Sequence, residues 1–119
     1  MPVFKIETNV PKSKVPEDFL KSTSALVAKI LGKPESYVIV QVIPDQQMSF
    51  GGSTDPCANV LLMSIGKLGV AENKKHSKAI AEHLQKTLGV PKNRFYITFS
   101  DQPSANVGFD GTTFHDILG

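Results

Sequence analysis

The chain has 119 residues, with 13 Lys or Arg against 11 Asp or Glu, one cysteine and no tryptophan. That length and a 40% hydrophobic content predict a single domain over 1–119 and exclude a disordered tail. A net charge of +2, with Arg94 the only arginine, is too little for a nucleic-acid binder, which leans on Arg forks. The lone Cys57 excludes an internal disulfide framework and a Cys-cluster metal site. No 18-residue apolar run marks a membrane span, and MPVFKIETNVP lacks the basic and apolar regions of a secretory signal.

Val3 to Glu7 alternate in period two, with Phe4 and Ile6 on one side, and read as a strand that follows Pro2. Pro16 suits the first turn of a helix, with Glu17 and Asp18 at its positive end. Phe19, Leu20, Thr23, Leu26, Val27, Ile30 and Leu31 form its apolar face, and Gly32 followed by Pro34 ends it. Tyr37–Ile43 is a β-branched strand closed by Pro44, and 45–56 is a loop opened by Gly51 and Gly52. Ala58–Ile65 reads as a strand. A helix follows from about Ala71 to Leu88, with Ile80, Ala81, Leu84 and Leu88 inward, then a strand from Arg94 to Ser100. Near the end, Asp110-Gly111 between VGF and TTF predicts a type I′ hairpin.

The two halves share a plan. Gly32-Lys33-Pro34-Glu35-Ser36-Tyr37-Val38 lies on Gly89-Val90-Pro91-Lys92-Asn93-Arg94-Phe95 as helix stop, proline turn and strand start. The fold class is α/β (α+β): two βαβ repeats forming a four-stranded mixed sheet, two helices on one face, and short C-terminal strands. The halves are either a pseudo-twofold repeat or two ordinary βαβ units with similar turns. Several strands are apolar on both sides, as at Tyr37, Ile39 and Ile43 against Val38, Val40 and Val42. The second sheet face then needs a cover: another copy of the chain, or the tail folded across it.

Few motifs carry chemistry. His76 and His83 are seven apart on one helix without carboxylate or thiol partners at ligand spacing, so they read as solvated histidines and not as a metal site. Cys57 reads as a small buried hydrophobe. Phe50-Gly51-Gly52-Ser53 fits no phosphate-binding loop, so no cofactor is expected. Pro2 is different. Loss of Met1 would leave it as a free secondary amine tied into a strand. Partial burial and a nearby cation, such as Lys33, would keep that amine neutral and useful as a base. The alternative, which the residues by themselves favour, is a proline that merely starts an edge strand. If Met1 stays, the Pro2 nitrogen is an amide and cannot act as a base.

PVFKIETNVP, GKPESYV, PDQQMSFGGSTDPC, MSIGKLG and VGFDGTTF, in that order and spacing from Met1 to about Phe114, resemble the macrophage migration inhibitory factor family. These proteins are phenylpyruvate or dopachrome tautomerases and cytokines. PDQQMSFGG and TTF lean toward that branch over the D-dopachrome branch. The resemblance implies the tautomerase fold as a homotrimer, with three sheets around a central channel. It implies Pro2 as the catalytic base and Lys33 as the lysine that holds a substrate carboxylate. Ser64 and Ile65 match the pocket floor, where the Ile65 amide meets substrate oxygen. Tyr37 and Tyr96 match aromatic walls reaching in from a neighbouring subunit, and Val107, Phe109 and Phe114 match the apolar rim. Thr98 stands where the family's best-known members have asparagine, Met63 where they have histidine and Phe109 where they have tryptophan. Cys57-Ala58-Asn59-Val60 lacks the second thiol of the family's Cys-x-x-Cys, which argues against dithiol redox chemistry.

The implied activity is keto–enol tautomerisation of an aromatic keto acid, without metal or cofactor. The implied second role is a cytokine that leaves the cytoplasm without a signal peptide and binds a cell-surface receptor of the invariant-chain type; the alternative, which retention of Met1 would favour, is a receptor-binding cytokine with a vestigial or inactive tautomerase pocket. Pro11, Lys12 and Asp45 match a pseudo-chemokine surface. No contact with nucleic acid and no membrane insertion are expected.

Overall fold

The computed structural model describes residues 1–118. The strands β1 (Val3–Thr8), β2 (Ile39–Ile43), β3 (Ala58–Ser64) and β4 (Phe95–Asp101) form one sheet in the order β2-β1-β3-β4. Helix α1 (Phe19–Leu31) joins the parallel pair β1 and β2, and α2 (Val70–Leu88) joins the parallel pair β3 and β4. The two βαβ units meet where β1 runs antiparallel to β3. A short pair, β5 (Gly108–Phe109) and β6 (Thr112–Thr113), leads into α3 (Phe114–Leu118).

Alternation decides which side chains meet the helices. Phe4, Ile6 and Thr8 of β1 and Ala58, Val60, Leu62 and Ser64 of β3 are buried on one face. Phe19, Val27 and Leu31 of α1 and Ile80, Leu84 and Leu88 of α2 pack against that cluster. Each such side chain contributes about 1.5–3 kcal/mol by leaving water. Helix α1 begins at Phe19, three residues later than its Pro16 suggests, because Pro16–Asp18 form a turn in which Phe19 N–H donates to Pro16 O at 3.0 Å. Its face is also narrower than its composition implies: Leu20 is half exposed.

Three further expectations are corrected. His76 and His83 are not solvated: His76 is only 6% exposed and His83 bonds the buried Thr23 at 2.9 Å. Tyr37 belongs to a 3-10 turn, Glu35–Tyr37, and the strand starts at Ile39. Pro2 does not start an edge strand, since β1 lies between β2 and β3. The Asp110-Gly111 turn has positive φ at both residues, 53° and 80°, as a type I′ hairpin requires. Cys57 is buried, as a small hydrophobe should be. The single arginine closes the long loop: Arg94 donates to the carbonyls of Phe50, Ser53, Asp55 and Pro56 at 3.0–3.3 Å.

Candidate active site

Strand pairing lines up Ile39, Val3 and Met63 in one row across β2, β1 and β3, on the face away from the helices. Over this row lies the end of the chain. Val107, Phe109 and Phe114 close around it with Tyr37, leaving a cavity of about 350 Å³ that Met1 also lines. The aromatic wall is a set of ring contacts. Tyr37 meets Phe109 and Phe114 edge-on, each at 5.4 Å, while Phe109 and Phe114 stack at 5.5 Å. Such pairs add about 0.5–1.5 kcal/mol each beyond burial. The tail therefore covers one end of the open sheet face and leaves the rest of it uncovered.

The polar group at this end is the amino terminus. Pro2 is buried, and its carbonyl accepts Ile39 N–H at 3.0 Å, which ties the chain start to β2. Lys33 arrives by helix-end chemistry. Gly32 takes the left-handed conformation, φ 61°, and Lys33 N–H donates back to Ala28 O at 3.0 Å. The chain reverses there, and Lys33 Nζ donates to Ile65 O at 2.9 Å. Burial, and then the Lys33 ammonium, hold the Met1 amine below the usual range of an α-amino group. An amine so placed is neutral more often at pH 7, and a neutral amine takes protons.

The chain matches the family model for macrophage migration inhibitory factor (MIF) over residues 1–115. The homolog from Trichinella spiralis is 54% identical over 114 residues, covering 96% of this chain and all of that one. The factor from Xenopus tropicalis is 47% identical over 96% of this chain and 99% of its own. This chain belongs to the macrophage migration inhibitory factor family. The solved T. spiralis factor has a TM-score of 0.92 at 52% identity, over 94% of this chain and 99% of that one. The homologue from Prochlorococcus marinus has a TM-score of 0.87 at 33% identity, over 94% and 98%. Family membership supports a function of the cytokine and tautomerase kind.

Against the family pattern, the single chain brings some of the expected residues together and leaves others apart. Lys33 meets Ile65, and its charge acts on the amine of Met1, the residue before Pro2, which lines the cavity formed with Tyr37, Val107, Phe109 and Phe114. Tyr37 lines the cavity of its own chain, a correction to its expected delivery by a neighbour; the 3-10 turn before β2 carries it there. Ser64 is also corrected. Its position in β3 turns the side chain toward the helices, fully buried, so it lines no pocket floor. Tyr96 and Thr98 lie on the open face of β4, paired to Asn59 and Leu61, away from the row that floors the cavity. Val3, Ile39 and Met1 line the cavity without having been marked as site residues. The alternation of β1 puts Val3 opposite Phe4, but only the register across three strands reveals the row.

Proposed function

We propose that the chain is a keto–enol tautomerase of the phenylpyruvate or dopachrome type, with Pro2 as general base once Met1 is removed. The observation that carries this is the Met1 amine, held low by burial and by the Lys33 ammonium; the Pro2 amine exposed by loss of Met1 starts one residue further into the same buried chain end. Removal of Met1 has two effects. It moves the amine onto the buried Pro2, and it vacates part of the cavity that Met1 lines.

The reaction follows from the residues. Lys33 pairs with the carboxylate of the keto acid as a point charge. The phenyl ring occupies the cavity of Tyr37, Phe109 and Phe114. Neutral Pro2 takes a proton from the carbon beside the keto group. Charge moves to the carbonyl oxygen, which the Ile65 amide stabilises and which takes up a proton from solvent to give the enol, while protonated Pro2 releases its own proton to solvent and is neutral again. In the reverse direction Pro2 returns the proton to carbon. The apolar walls exclude water and strengthen each of these contacts. In this reading the active body is a homotrimer, and Tyr96 and Thr98 of a neighbouring copy complete the site.

Activity is measured as absorbance of phenylpyruvate during enol–keto conversion, on protein whose intact mass lacks one methionine. Pro2→Gly should lower kcat/KM by about 10²-fold or more, the scale of general-base catalysis. Lys33→Ala should raise KM and move the acid limb of the pH profile upward, because the amine loses the charge that keeps it neutral. Unchanged rates in both variants overturn the assignment.

A receptor-binding role at a second surface is favoured by one contact. Lys12 N–H donates to Asp45 Oδ2 at 3.3 Å, which holds the exposed Pro11, Lys12 and Asp45 side by side, none of them lining the cavity. In this reading the protein works both in the cytoplasm and outside the cell. Receptor binding that survives Pro2→Gly and fails in Asp45→Ala would separate the surface role from turnover; the reverse pattern would sink it.

A further inference from the structure

After Ile65 the chain takes two left-handed residues in succession, Gly66 at φ 76° and Lys67 at φ 65°. Glycine adopts this conformation freely, whereas a lysine there needs its surroundings to hold it. Two side chains do so. Asp101 Oδ1 accepts Gly66 N–H at 2.9 Å, and His76 Nε2 lies 2.9 Å from Lys67 O. A carbonyl only accepts, so His76 Nε2 must carry hydrogen. The histidine sits in the second turn of α2, 6% exposed, with its ring 6.3 Å from that of Phe99. It does not line the cavity of Tyr37 and Phe109. One residue before the turn, Ile65 O receives the Lys33 ammonium.

We propose that His76 is a positioning residue for the candidate site: by gripping Lys67 O it fixes the Gly66–Lys67 turn, and so sets where Ile65 O holds Lys33. The lysine has a flexible four-carbon stem, and the Ile65 carbonyl is the fixed point at its charged end. If the turn relaxes, that fixed point moves, and the ammonium moves with it relative to both substrate carboxylate and amine. The kinetic part of this inference rests on the tautomerase reading. The electrostatic part does not.

The test compares His76→Phe, which keeps a ring against Phe99 and loses the donor, with His76→Gln, which keeps an N–H donor. Both are made in protein lacking Met1. In His76→Phe, KM for phenylpyruvate should rise about tenfold with a smaller change in kcat. The pKa of the terminal amine, read from the pH dependence of its reaction with an amine-directed reagent, should rise toward its ordinary range. His76→Gln should restore both. Wild-type KM and amine pKa in a folded His76→Phe overturn the proposal, as does a glutamine variant equally impaired. Nitrogen NMR of the unmodified protein adds an arm that needs no variant: His76 in the neutral Nδ1–H form also overturns it. If wild-type protein fails to turn over phenylpyruvate, the tautomerase reading fails, while the amine pKa of the variants still decides the role of His76.

Discussion

Ser64 and Ile65 stand together, yet their roles part at the backbone. The Ile65 carbonyl faces Lys33, whereas the Ser64 hydroxyl is buried on the helix side with no hydrogen-bond partner among the described residues. A buried hydroxyl without a partner costs about 1–3 kcal/mol in lost hydration, against which the loss of one oxygen leaves only a small void. Ser64→Ala should therefore keep or raise the melting temperature and leave KM unchanged. A clear rise in KM would return Ser64 to the pocket floor. Lys33 shows the opposite case, in which the sequence is legible. A Gly-Lys-Pro at a helix end predicts a chain reversal from glycine's left-handed freedom, and the reversal carries the lysine back to the site. Its acceptor, Ile65 O, lies 32 residues away and no local pattern names it.

At the scale of elements, the two helices are joined by a clasp that periodicity alone misreads. His83 Nε2 and the buried Thr23 Oγ1 lie 2.9 Å apart, and the His83 ring rests 6.0 Å from Phe19. Burial first, and then Lys86, hold the His83 pKa below 6.5, with Asp18 partly opposing them. The folded chain thus favours the neutral ring, and the unfolded chain binds the proton more readily. The stability this contributes is present in full above the unfolded value near 6.5 and is lost as pH falls through the lower folded value. Melting temperature should drop between pH 7 and 5 by more in the wild type than in His83→Gln, which carries an amide but no titrating group. Parallel pH curves would show that His83 contributes nothing. The strands, both helices and the type I′ hairpin could all be read from period, glycine stops and Asp-Gly, because those signals are local. Histidines at positions 76 and 83 could not, since their partners sit on a loop and on the other helix. The five-residue α3 also escaped notice, because so short a segment shows no period.

The whole molecule is a two-layer slab, 46 × 30 × 22 Å, with a radius of gyration of 14.8 Å against about 13.5 Å for a compact chain of this length. One sheet face is sealed by helices; the other, beyond the cavity end, is open. That open face is less apolar than the strand sequences suggest. Lys5, Glu7, Gln41, Asn59 and Thr98 alternate there with Ile43, Leu61 and Tyr96, and Tyr96 is more than half exposed. Such a surface, with unpaired strand edges at β2 and β4, suits an interface with copies of the same chain around water better than a dry core. This is the physical content of the proposed trimer, and it explains why Tyr96 and Thr98 stand apart from the cavity of their own chain. Leu61 lies in the middle of the face, directly across from Lys5 and outside the cavity. Leu61→Lys would set two ammonium groups opposite each other there, a pairing that disfavours burial between subunits and leaves the helix-side core untouched. Sedimentation should shift from three copies to one, circular dichroism should keep its native form, and phenylpyruvate turnover should fall because no neighbour delivers its tyrosine. A wild-type protein that sediments as one copy at assay concentration would refute the shared site, and so would a monomeric variant with undiminished turnover.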